Sequence, residues 1–181
     1  VIETKYGGIF PNQYDDIRAL PGIGLYTAGA IASICFNLPY AAVDGNVLRI
    51  ITRMTENNAP IDHMQTKTEI AAQLEKVYPK KDCGQFTQAL MELGATVCTP
   101  KSPKCTECPT KNFCRAYANN TMLQYPVKQP KKDKRLEERT IFLLQYKDKY
   151  AITKRTESGL LSGLWQLPNT LEKMDVNQAL H

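Results

Sequence analysis

Histidine, tryptophan and long apolar runs are scarce in this chain, which has two histidines and one tryptophan among 181 residues. Neither His63 nor His181 has ligand-type neighbours at metal-binding spacing, and both read as surface residues. No stretch approaches the roughly 20 apolar residues that a membrane-spanning helix needs, so a soluble protein is expected. The start carries no secretory h-region, and internal repeats are absent. The chain also lacks an initiating methionine. Its first residues, VIETKYGGIFP, read as the end of a helix closed by Gly7 and Gly8, and its last residues begin a helical pattern at Asn177 that stops at His181. A fragment is expected, with room for one complete domain and part of another.

The charge is mildly positive, +5 with a pI near 8.8. Lys101, Lys104, Lys111 and Lys128 precede a denser run at Lys131, Lys132, Lys134 and Arg135. Such a face suits a polyanionic partner, because each lysine near a phosphate releases counterions on binding. A solvated basic face explains the same balance equally well.

The first half is all-α by pattern. Residues 14–20 lead into the turn Pro21-Gly22-Ile23-Gly24, and Tyr26 to Phe36 form a small, apolar helix. Val47, Ile50, Ile51 and Met54 recur at i, i+3, i+4 and i+7, the spacing of one buried helix face. Further helices are predicted over 65–78 and 83–97, the latter with Phe86, Leu90, Leu93 and Val97 on one side. The charged stretch KQPKKDKRLEER can bury almost nothing and reads as a linker. Beyond it, TIFLLQY and YAITKR, separated by Lys147-Asp148-Lys149, predict a β-hairpin that opens a second, mixed domain.

Four of the six cysteines, Cys98, Cys105, Cys108 and Cys114, stand at C-x6-C-x2-C-x5-C. Four thiolates on short loops can converge on a cubane iron–sulfur cluster. Zinc also takes four cysteines, but its ribbons usually pair two C-x2-C knuckles and only one is present. Two disulfides would suit a small secreted scaffold, which this composition does not resemble. Cys35 and Cys83 fall in helical stretches and read as buried or partly buried thiols.

Two shorter motifs carry chemistry. In LPGIG, Pro21 presets a tight turn, while Gly22 and Gly24 keep side chains away so that backbone N–H groups can point outward together, which makes Pro21, Gly22, Ile23 and Gly24 candidate DNA-binding residues. With a helix following, this turn can hold a DNA phosphate without reading sequence; an ordinary helix–helix connection is the alternative. In VDGNV, Asp44 is placed as an N-cap, and its carboxylate at the positive end of a helix could also face a positive charge developing on a sugar.

LPGIG, VDGNV and the cysteine spacing, in that order, resemble the helix–hairpin–helix DNA glycosylases of the endonuclease III superfamily. Members that also cut the backbone carry a Schiff-base lysine two residues beyond the second hairpin glycine, and here that position is Tyr26. Tyr26, the extension past the cysteines and GLLSGLWQLP at 159–168 resemble the MutY-type branch. The resemblance implies a mainly α fold, with a partial glycosylase domain over 1–97 and a 4Fe–4S cluster loop over 98–114. A helix and basic linker over 115–138 and the truncated start of an α/β Nudix-like recognition domain over 139–181 would follow.

The implied activity is monofunctional hydrolysis of the N-glycosidic bond of adenine mispaired with 8-oxoguanine or guanine, in base excision repair. Asp44 would stabilise the oxocarbenium-like sugar, Asn46 would orient it, and Tyr26 would line the site. Gln88 stands where the family contacts the flipped adenine, and Lys101 and Lys104 could contact phosphate beside the cluster. The general-acid glutamate belongs to N-terminal helices absent here, so this chain alone is expected to bind DNA but to release almost no adenine. The expected partner is mismatched double-stranded DNA, bound by a monomer in a bacterial cytoplasm. An endonuclease III-type lyase lacks support from Tyr26. A Nudix hydrolase would need a magnesium-binding REx2E helix, which does not occur. A non-catalytic DNA-binding module remains as the third class.

Overall fold

The computed structural model describes every residue except Lys131, Lys132, Lys134, Arg135, Glu157 and His181. The dense basic run and the surface reading of His181 therefore lie outside the described residues. The chain forms two compact units, Val1–Pro130 and Lys131–His181.

In the first unit, α1 (Ile2–Tyr6) ends at Gly7 in the left-handed conformation, and α2 (Tyr14–Arg18) leads into the hairpin turn. There Gly22 takes φ +80°, which an L side chain rarely adopts, and Ile23 N donates to Leu20 O at 3.1 Å. Helix α3 (Leu25–Phe36) starts at Gly24 and stops where Asn37 turns left-handed. Its middle is made of small residues because other backbones press on it. A Cβ added at Gly29 would lie 2.1 Å from Ala41 O. Farther along α3, Gly84 of α6 (Cys83–Glu92) sits so close that its Cβ would meet Ser33 O at 3.0 Å.

Helix α4 (Gly45–Thr55) carries the patterned apolar face: Val47 and Leu48 are buried in a core shared with Ile61, Ile70, Leu74, Tyr78 and Cys83, and Ile50 is buried toward the cysteine loop. Ile70 and Leu74 come from α5 (Met64–Glu75), which ends three residues before the expected Tyr78 because Pro79 turns the preceding chain out of helix. The helix expected over 83–97 is likewise divided. It is α-helical to Glu92 and becomes a π-helical turn over Leu93–Val97, in which Cys98 N donates to Leu93 O at 2.7 Å. A second small core joins Ile17, Ala28 and Ala32, flanked by the stacked rings of Tyr14 and Tyr40. Buried hydroxyls link α3 to α6, with Tyr78 Oη 2.9 Å from Thr87 Oγ1 and Thr87 donating to Ser33 Oγ at 2.8 Å. Cys83 is buried as expected, whereas Cys35 is exposed, on the side of α3 turned away from that core.

After the cysteine loop come α7 (Arg115–Ala118) and a short turn over Met122–Gln124, and the chain then folds back on the first unit. Ile61 N donates to Val127 O at 3.0 Å, and the first unit continues to Pro130, inside the stretch read as linker.

Among the described residues the second unit holds three antiparallel strand pairs: β1 (Thr140–Ile141) with β6 (Asn169–Thr170), β2 (Gln145–Tyr146) with β3 (Lys149–Tyr150), and β4 (Thr153–Lys154) with β5 (Trp165–Gln166). Helix α8 (Val176–Leu180) follows. The expected hairpin is present only at its tip, around Lys147 at φ +54°. Its outer arms pair with residues 165–170 instead, so two short ladders replace one long one. Among the described residues no helix is long and apolar enough to cross a membrane.

Candidate active site

Asp44 caps α4. Its Oδ1 accepts from Val47 N at 2.8 Å, a cap of the kind that stabilises a helix by about 1 kcal/mol. The other oxygen, Oδ2, accepts from Asn46 Nδ2 at 3.0 Å. Asn46 Oδ1 in turn accepts from Arg49 Nη2 at 2.8 Å, so a donor on one side and an acceptor on the other fix which way the amide faces. Arg49 is nearly buried, and it also donates to Gly94 O at 2.7 Å and Cys98 O at 2.7 Å. Burial draws its pKa down; Cys98 acts against that, Arg53 with it, and Asp44 against it.

The aspartate borders two cavities. The larger, of about 670 Å³, is a cleft whose walls include Tyr14, Gly24, Tyr26, Tyr40, Asp44 and Lys128. Tyr26 is half-exposed there, on the first turn of α3. The smaller, about 420 Å³, is bounded by Asp44, Asn46, Arg49, Tyr125, Pro126 and Lys128. The cleft thus brings Asp44, Tyr26 and the hairpin's Gly24 together. Pro21 and Ile23 border a separate apolar hollow with Phe10 and Leu20, and Gly22 lies at the turn itself. Gln88 is exposed on α6 and borders neither of the aspartate's cavities.

Cys98, Cys105, Cys108 and Cys114 line one further cavity, closed by apolar Ile50, Leu93 and Val97. Burial, reinforced by the neighbouring thiols, raises the pKa of the Cys105 thiol. Among the described residues no three cysteine, histidine, aspartate or glutamate side chains converge closely enough to hold a single metal ion. Arg53, only 2 % exposed, reaches this cavity from α4. It donates to Cys98 Sγ at 3.3 Å, Thr99 O at 2.8 Å, Pro100 O at 3.0 Å, Met122 O at 2.8 Å and Tyr125 O at 3.2 Å. Lys104 borders the cavity, and Lys101 is exposed on the same loop.

Arg49, Arg53 and Gly94 are the site residues that sequence reasoning missed. The available signal was spacing: Asn46, Arg49 and Arg53 recur at i, i+3 and i+7, which puts all three on one face of α4. Gly94 exists for contact, since a Cβ there would lie 2.5 Å from Asn46 Cβ.

The model for the helix-hairpin-helix motif matches residues 5–34. An adenine DNA glycosylase of Buchnera aphidicola (subsp. Baizongia pistaciae) is 37% identical over 180 residues, covering 97% of this chain and 50% of that protein. An adenine DNA glycosylase of Arabidopsis thaliana is 40% identical over 187 residues, covering 94% of this chain and 29% of that protein. The chain therefore spans half or less of the length of these curated relatives. Among solved structures, a thermostable thymine-DNA glycosylase superposes with a TM-score of 0.59 at 31% identity, over 66% of this chain and 54% of that one. The hairpin match, the alignment of nearly all of this chain to adenine DNA glycosylases and the superposition on a thymine-DNA glycosylase agree in making the chain similar to the MutY-type helix–hairpin–helix DNA glycosylases.

Proposed function

We propose that this chain is the part of a monofunctional adenine DNA glycosylase that holds its hairpin, its catalytic carboxylate and an iron–sulfur cluster. The observation that carries the reading is the fixed carboxylate of Asp44, held by Val47 N and Asn46 at the edge of a cleft that also presents Tyr26 and Gly24. Adenine must leave the duplex before its glycosidic bond can be reached, and a cleft of this size admits an extruded nucleotide. As that bond breaks, positive charge builds on the deoxyribose. A carboxylate whose position is already fixed stabilises the charge without reorganising, electrostatically or through a transient covalent bond. Tyr26 offers no amine for a Schiff base, so release ends at an abasic site rather than a cut strand.

Four cysteines on one short segment with a single C-x2-C knuckle suit a cubane cluster better than a zinc ribbon, which usually pairs two knuckles. All four thiols border one cavity. Arg53 sets a buried positive charge against the thiolates that such a group requires. Cys98, Cys105, Cys108 and Cys114 would hold it, and when bound it supplies a crosslink for the loop that bears Lys101 and Lys104. In this reading the hairpin and those lysines take DNA phosphates, and the second unit begins a Nudix-like module for the opposing oxidised base.

The test is base release by the complete gene product from duplexes carrying adenine opposite 8-oxoguanine, guanine, cytosine or thymine. The reading predicts adenine release opposite 8-oxoguanine and guanine, strand breaks only after alkali, and no adduct trapped by borohydride. Thymine or uracil release, or a trapped adduct, would contradict it.

A further inference from the structure

Asp44, Gly45, Ile61 and Lys128 border both cavities that meet at the candidate carboxylate. The hairpin contributes Gly24 to the larger cleft, while no hairpin residue borders the smaller cavity. The smaller cavity therefore continues from Asp44 away from the hairpin, and Lys128 marks the junction. An extruded nucleotide is tied to its strand by a phosphate on each side. A turn at the hairpin can take one of them, which leaves the other on the far side of the carboxylate.

The backbone at Lys128 is held at both neighbours. Ile61 N donates to Val127 O at 3.0 Å, Gln129 N donates to Asp62 Oδ2 at 2.8 Å, and the Gln129 side-chain amide lies 2.9 Å from His63 Nε2. Upstream, Tyr125 O is held by Arg53. The side chain of Lys128 is exposed, and among the described residues no carboxylate forms an ion pair with it. A fixed backbone bearing an unpaired ammonium at the mouth of the cleft is suited to a phosphate, since little main-chain entropy is lost on binding.

We infer that Lys128 binds the phosphate flanking the extruded nucleotide on the side of Asp44 opposite the hairpin. This rests on the glycosylase reading and adds a second phosphate anchor, which holds the strand while the base is out of the duplex.

The test uses the complete gene product, as wild type, Lys128→Ala and Lys128→Arg, with a duplex carrying a non-hydrolysable abasic analogue opposite 8-oxoguanine. Binding is followed by fluorescence anisotropy from 50 to 200 mM salt, approximate working limits for such titrations. Neutral methylphosphonates replace, one at a time, the phosphates around the analogue. Lys128→Ala is expected to weaken binding about tenfold and to lower the salt slope by about 0.9, with Lys128→Arg close to wild type. One methylphosphonate next to the analogue, on the side that the hairpin does not hold, is expected to abolish the difference between wild type and Lys128→Ala. Equal affinity and slope for Lys128→Ala, with wild type still preferring the analogue over plain duplex, would overturn this inference alone. A difference that survives every methylphosphonate would overturn it too. A wild type with no preference for the analogue would overturn the glycosylase reading and this inference with it.

Discussion

Asn46 Nδ2 donates to Asp44 Oδ2 at 3.0 Å, and the same amide accepts from Arg49, which reaches the carbonyl of Cys98. The candidate carboxylate is thus joined to the cysteine loop through two side chains of one helix. Asn46→Ala removes the bond that aims Oδ2 while leaving the Val47 cap intact. Adenine release is expected to fall by on the order of 10–100-fold with the helix content unchanged. Single-turnover kinetics beside circular dichroism checks this, and wild-type rates would show that the amide has no part in aiming Asp44.

Gly94→Ala tests the same contact from the other side, because its Cβ would lie 2.5 Å from Asn46 Cβ and 3.1 Å from Asn46 Cα. Overpacking of this kind costs about 1–3 kcal/mol. Gly45→Ala, with nothing within 4 Å of the added carbon, is expected to stay within about 0.5 kcal/mol in urea unfolding.

Arg53→Met would leave the partly buried carbonyls of Thr99, Pro100, Met122 and Tyr125 without the Arg53 donor. A loss of about 1–3 kcal/mol is expected. Arg53→Lys recovers little of it, since one ammonium cannot reproduce the planar fork. A change under about 1 kcal/mol in either variant would mean that the loop does not depend on this side chain.

Elemental analysis of protein purified without oxygen is expected to give about four irons and four acid-labile sulfides per chain. One zinc per chain would replace the cluster reading. Cys108→Ala is expected to lower the iron content and to loosen the loop that Arg53 binds.

Burial, first among its causes, raises the pKa of Tyr78, with Thr87 acting against it. A phenol whose folded pKa exceeds its unfolded value of about 10 stabilises the fold fully below that value, and the contribution is lost as pH rises toward the folded pKa. Urea midpoints are therefore expected to drop above about pH 10, and to drop less in Tyr78→Phe. Identical alkaline profiles would contradict this.

The helices, the hairpin turn and the cap at Asp44 were legible in the sequence because each depends on local pattern. Proline and glycine punctuate 21–24, and the apolar period of α4 starts three residues after an aspartate. Arg49 and Arg53 were not legible, since arginines on an amphipathic helix ordinarily face water, and only the fold supplies the carbonyls that bury them. The π-turn over Leu93–Val97 was equally hidden, because it answers to the approach of Gly94 to Asn46, residues 48 positions apart in sequence. Cys35 was misplaced for a related reason: α3 buries only its small-residue face, and position 35 lies off it. In the second unit the strand propensity was readable, but the partners of Thr140 and Thr153 lie near 165–170, beyond the reach of hairpin logic.

The central claim is that the Asp44 carboxylate is chemical as well as structural, and Asp44→Asn separates the two roles because asparagine caps a helix about as well as aspartate. The measurement is single-turnover adenine release by the complete gene product from a duplex with adenine opposite 8-oxoguanine. The account predicts unchanged folding and DNA affinity with release reduced by on the order of a thousandfold. Release at the wild-type rate would leave Asp44 as a helix cap and place the chemistry elsewhere.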